Sequence, residues 1–169
     1  MKRTALLAAL LTITATPTLA HTGTGIASGF AHPFLGADHL MAMFAAGAWA
    51  VTLGGRAVWA LPLAFLAAMA AGAAAGMSGL ALPLVEMTIA ASIVVLGGLL
   101  FARVRMPVWC GSSLVALFAF AHGHAHGAEI PAMASPIVYA MGFLVATALI
   151  LALGAITARA AIAATTAKA

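Results

Sequence analysis

The stretch VWCGSSLVALFAFAHGHAHGAE, Val108 to Glu129, decides what kind of fold this chain can have. From Val108 to Ala121 it is almost wholly apolar, the kind of run that crosses hydrocarbon as a helix. It then delivers His122, His124, His126 and Glu129 in quick succession. Ionisable side chains at membrane depth are costly, so their presence there is a functional hypothesis by default. A second cluster, His32-Pro33-Phe34-Leu35-Gly36-Ala37-Asp38-His39, opens another apolar run. The two clusters hold five of the six histidines and two of the three acids. The third acid, Glu86, stands alone in a further apolar segment.

Composition agrees with a membrane. The 169 residues are 65% hydrophobic and 6% charged, with a mean hydropathy of +1.18. A soluble domain would carry about 25% charged residues. The formal charge of +4 does not point to nucleic acid, because the basic residues are scattered singly at segment ends rather than gathered in a patch. The single cysteine, Cys110, excludes an internal disulfide and a thiolate metal cage, and reads as a small buried apolar side chain.

In chain order, residues 1–20 read as a cleavable signal peptide. Lys2 and Arg3 form its basic start, Ala5 to Ile13 its apolar core, and Pro17 precedes the small residues that suit a peptidase. The mature chain, residues 21–169, would begin at His21. Five segments then follow at near-spanning length: Pro33–Leu53, Ala57–Met77, Leu80–Ala102, Pro107–His126 and Ser135–Thr157. The expected fold is thus all-α, a bundle of five transmembrane helices after a signal peptide. Gly72 and Gly76 form a small-residue stripe suited to close helix packing.

Charge sets the expected orientation. With the mature N-terminus outside, Arg56, Arg103, Arg105, Arg159 and Lys168 all fall on the cytoplasmic side, as the positive-inside rule requires. Trp49, Trp59 and Trp109 then lie near the same interface. Asp38, His39, Glu86 and His122 come to matching depths of roughly 6–9 Å below the outer surface at about 1.5 Å per residue. One outward-facing site in an inner membrane is the expectation, with the N-terminus periplasmic and the C-terminus cytoplasmic.

On a helix, His122 and His126 share a face and lie about 6 Å apart along the axis. Glu129 extends that stripe, while His124 points away from it. His32 and His39 also share a face but are about 10.5 Å apart along a straight helix. They could meet on one ion only if the chain bends between Pro33 and Gly36. Asp38 beside His39 suits either a second ligand or a carboxylate that orients the imidazole. Imidazole and carboxylate without thiolate suit Ni²⁺, Co²⁺, Zn²⁺ or Cu²⁺, and ligand type alone does not choose among them.

The paired motifs His32-Pro33-x-x-Gly36-x-Asp38-His39 and His122-Gly123-x-Ala125-His126-Gly127-x-Glu129 resemble the signatures of the HupE/UreJ family of small nickel/cobalt permeases. The resemblance covers essentially the whole chain, and Glu86 matches an acidic residue in a middle helix. It implies that His32, Asp38, His39, Glu86, His122, His126 and Glu129 handle a Ni²⁺ or Co²⁺ substrate. It implies neither a prosthetic group nor a catalytic residue. The expected partners are the metal ion and membrane lipid, with a metallochaperone or a second copy of the chain as further candidates.

Two function classes follow. The first is a secondary permease taking metal from the periplasm, since no phosphate-binding Gly-rich loop with Lys is present. The second is an intramembrane metalloenzyme or haem protein using the same histidines, with Glu86 or Glu129 as general base. Uptake of radiolabelled metal by cells separates them. The inner half of the helices offers few polar groups for a path, chiefly Thr52, Ser112 and Ser113.

Overall fold

The computed structural model describes residues 25–130 and 135–167, in which all regular structure is helical. Six helices follow in order: α1 (Ile26–Leu35), α2 (Ala37–Leu53), α3 (Ala57–Met77), α4 (Val85–Phe101), α5 (Val108–Ala128) and α6 (Pro136–Thr166). Helices are the one open structure that satisfies every backbone group without water, which is why so apolar a chain uses nothing else. Glycine and proline set several of the ends. Gly54 and Gly79 take left-handed φ values of 76°, Pro107 caps α5, and Pro136 opens α6 where its missing N–H costs nothing. Large apolar side chains such as Phe101, Val94 and Trp109 face outward at 92%, 75% and 72% exposure. An aqueous surface would not tolerate so many, whereas lipid does.

The expectation of five spanning helices is corrected here. Among the described residues three helices, α3, α5 and α6, are long and apolar enough to cross a membrane, or four if the bent pair α1–α2 counts as one span. The segment expected over Leu80–Ala102 does not become a full span, because Leu84 beside Pro83 sits in the left-handed region at φ 61°. Its helix therefore starts only at Val85 and runs 17 residues, about 25 Å against roughly 30 Å of hydrocarbon. The first expected span is broken as well: α1 and α2 meet at Gly36 with a bend of 85°. The proposed signal peptide, His21 and Lys168 lie outside the described residues, and nothing in the structure supports a signal peptide.

Packing explains how the helix ends come together. The most extensive pairing joins α3 and α5, along the stripe expected to pack closely. Gly72 and Gly76 press on the backbone of Phe120 and His124, and Gly123 and Gly127 press on that of Met69 and Ala73. A Cβ at any of the four would collide with main chain, which no rotamer can relieve. Such glycine contacts let helices approach where lipid removes the hydrophobic drive to associate. On the other side α6 packs along α1 and α2. The shared interior is filled by Met43, Trp49, Phe65, Met69, Leu96, Phe143 and Ile150. One end of the bundle thus gathers the starts of α2, α4 and α6 with the ends of α3 and α5.

Candidate metal site

The break at Gly36 builds the first half of the site. Gly36 is extended, at φ −99° and ψ 111°, and the turned chain carries His32 on α1 back toward His39 on α2. Their ring centres stand 6.4 Å apart, well inside the separation a straight helix would impose. A Cβ at Gly36 would lie 2.8 Å from both Asp38 Oδ1 and His39 Nδ1, so it would push those two side chains apart from the corner. Those two atoms are themselves hydrogen-bonded at 2.8 Å. The His39 backbone N–H donates to the same carboxylate oxygen at 2.9 Å.

The α3–α5 crossing supplies the second half, turning His122 and His126 inward until they are 0% and 1% exposed. His126 lies with its ring centre 4.6 Å from that of His32 and 4.6 Å from that of His39. His39 and His122 are 5.0 Å apart, edge to face. Two imidazoles on one ion, bound through nitrogen at about 2.0–2.1 Å, would have ring centres about 4.5–5 Å apart. Three pairs, His32 with His126, His39 with His126 and His39 with His122, have that spacing, whereas His32 and His39 at 6.4 Å do not. Most of these rings meet edge to face, His39 and His126 being tilted at 44°, and among the described residues no three His, Cys, Asp or Glu side chains form a ready-made metal-holding group.

Hydrogen bonding decides which nitrogens are available. The His122 Nδ1–H donates to the Phe118 carbonyl at 2.9 Å; a carbonyl can only accept, so the proton sits on Nδ1 and the Nε2 lone pair is left over. By the same logic His39 Nδ1–H donates to the Asp38 carboxylate and leaves Nε2 as its ligating atom. His39 Nε2, His122 Nε2 and both His126 nitrogens are buried with no hydrogen-bond partner among the described residues. Buried polar atoms are almost always partnered, so several such nitrogens in one spot suit a bound ion or ordered water.

Polarity is graded from mouth to floor. Asp38 and Glu129 are 32% and 49% exposed, and Glu129 Oε2 reaches to 3.9 Å from His32 Nε2. Below the imidazoles the bundle is closed by Phe65, Met69 and Phe143, all fully buried. Thr147 adds a hydroxyl there, 3.5 Å from the Met69 sulfur.

The structure thus brings together His32, Asp38, His39, His122, His126 and Glu129. Glu86 does not join them: it is exposed on the first turn of α4. His124 faces elsewhere and donates Nε2–H to the Leu80 carbonyl at 2.6 Å, tying α5 to the connection before α4. Reading the residues alone did not find the aromatic wall. Tyr139 lies with its ring centre 6.0 Å from that of His32, Phe143 5.1 Å from that of His126, and Phe65 6.3 Å from that of His122. The one available signal was that Tyr139 is the sole tyrosine in an otherwise greasy segment.

A multi-helix membrane bundle with a buried imidazole cluster beneath two carboxylates is the class of protein these features define. The chain belongs to the HupE/UreJ family: the family described as HupE / UreJ protein matches residues 7–169. It is also 44% identical to Protein HupE of Rhizobium leguminosarum bv. viciae over 158 residues, 90% of this chain and 81% of that relative. No solved structure matches. Family membership supports a membrane protein of metal handling, in keeping with the permease class rather than an enzyme.

Proposed function

We propose that the chain is a secondary permease that takes Ni²⁺ or Co²⁺ from the periplasm into the cell for metalloenzyme maturation. The observation that carries this reading is the gathering of four imidazoles from α1, α2 and α5 beneath Asp38 and Glu129, with nitrogens of His39, His122 and His126 buried without a hydrogen-bond partner among the described residues. In this account Asp38 and Glu129 draw a dication into the mouth, and His32, His39, His122 and His126 replace its water. Exposed Glu86, at the same end of the bundle, adds to the attraction at the entrance. Neutral imidazole is a good ligand for borderline dications, and its loss of water is offset by several nitrogens at once.

Orientation follows from charge. Arg56, Arg103 and Arg105 sit in the turns at the end opposite the histidines, with exposed Trp59 and Trp109 beside them. Basic turns and interfacial indoles favour the cytoplasmic side, so the imidazole cluster faces the periplasm. The closed layer of Phe65, Met69 and Phe143 must then open for release, which is the alternating access expected of a secondary carrier.

The test is uptake of radiolabelled Ni²⁺ and Co²⁺, each in competition with the other, by cells expressing the protein. The proposal expects saturable accumulation that one or both unlabelled ions suppress. Uptake no greater than that of cells lacking the protein would end it.

A further inference from the structure

At the end of the bundle far from the histidines, a groove of about 640 Å³ runs between α2 and α6. It is lined by Phe44, Ala48, Ala158 and Ile162, with Arg103 and Arg105 from the α4–α5 connection also in its wall. A second, almost wholly apolar groove continues it past the shared Phe44 to Leu40 and Leu153. Leu40, Phe44, Ala48 and Thr52 recur every fourth residue along one face of α2, so the combined trough is about 18 Å long at 1.5 Å per residue. Half the hydrocarbon core of a bilayer is about 15 Å. The trough is as long as one leaflet is deep.

Among the described residues no carboxylate side chain lies at the arginine end. The sequence contains three carboxylate side chains: Asp38, Glu86 and Glu129, all at the histidine end. From Glu86 to Arg103 is a full helix, about 25 Å. Nor are the arginines placed by accident. Arg103 takes φ 50°, uncommon for a residue with a Cβ. Its turn is closed by bonds from Arg103 N–H to the Leu100 carbonyl and from Val104 N–H to the Leu99 carbonyl. Trp49, fully buried, donates its indole N–H to the Val104 carbonyl at 3.1 Å, pinning the connection to α2. The Thr52 and Thr157 hydroxyls in the groove already donate to carbonyls of their own helices. Recognition therefore falls to the guanidinia.

We propose that this groove binds an anionic phospholipid, with its phosphate on Arg103 and Arg105 and one acyl chain along α2 and α6. Two guanidinia lining one groove suit a phosphodiester, and a leaflet-long apolar trough suits the chain attached to it. Basic clefts between helices on the cytoplasmic side are where such headgroups bind. This site does not depend on the metal reading.

The experiment is native mass spectrometry of the full-length protein in detergent, titrated with phosphatidylglycerol or with phosphatidylcholine of the same chains. The wild type should bind phosphatidylglycerol at least about tenfold more tightly, and Arg103→Gln with Arg105→Gln should remove about 10–30-fold of that affinity. Arg56→Gln, a charge at the same end outside the groove, should leave the preference in place. Ala161→Trp, which fills the groove from exposed α6 while leaving both guanidinia, should also abolish binding. Equal affinity for the two lipids, or undiminished binding by the double arginine variant, would overturn the proposal. So would loss of the preference in Arg56→Gln. If Ala161→Trp binds normally and inorganic phosphate displaces the lipid, the arginines hold a free anion and the lipid assignment is wrong.

Discussion

His39 and His126 stand with ring centres 4.6 Å apart, and glycines lie at the bend and the helix crossing that position them. The extended Gly36 turns α1 against α2, and the Gly123–Gly127 face lets α5 sink against α3. Backbone approach therefore places the ligands, and the imidazoles follow. The permease reading draws its predictions from that dependence.

Metal-edge X-ray absorption of purified protein with one equivalent of Ni²⁺ should show nitrogen or oxygen neighbours at about 2.0–2.1 Å with the outer-shell pattern of imidazole. No sulfur should appear, and Cys110→Ser should leave the spectrum unchanged. A sulfur shell would move the site away from the histidine cluster.

Asp38→Asn keeps an acceptor near His39 Nδ1 but removes the negative charge that holds and polarises the ring. Partners of ligating imidazoles commonly contribute 10–100-fold in metal affinity. The half-saturating concentration for uptake should rise by about tenfold or more, with membrane levels close to wild type. An unchanged half-saturating concentration would mean that Asp38 neither orients His39 nor attracts the ion.

Gly127→Val places a branched side chain against the Ala73 backbone. Overpacking of this kind costs about 1–3 kcal/mol, and main chain cannot step aside as a rotamer would. The variant should melt several degrees lower in detergent and accumulate poorly. Normal stability with normal uptake would show that the α3–α5 approach is looser than described.

His124→Ala separates a structural histidine from the ligands. Losing the bond to the Leu80 carbonyl should cost about 1–3 kcal/mol of stability while leaving the half-saturating metal concentration within about twofold. A large rise in that concentration would make His124 a ligand after all.

Much of this was readable in advance, and the parts that were not have physical reasons. The Gly72–Gly76 stripe marks helix contact because small side chains at a four-residue interval have one common use in lipid. The need for a bend between Pro33 and Gly36 followed from the length of a straight helix, and the 85° break meets it. The number of spans was misread because hydropathy counts residues, not φ angles. Pro83 was the available signal, since it bars helix at Leu82, and the left-handed Leu84 after it delays α4 to Val85. Glu86 had the right depth, but depth does not say which way a side chain points, and it points outward. Phe65 and Phe143 were invisible as lining because helices that are apolar all round carry no facial signal.

Carriage of metal across the membrane by the imidazole cluster can be measured with purified protein in sealed liposomes. With radiolabelled Ni²⁺ or Co²⁺ outside, wild-type protein should load the lumen to a saturable level. His39→Ala, His122→Ala and His126→Ala should each cut the initial rate by about tenfold or more, as loss of a metal's outer-shell partner alone commonly does. Each variant must reconstitute in equal amount. Lumenal loading by these variants at the wild-type rate, or no loading by the wild type with either ion, would contradict it.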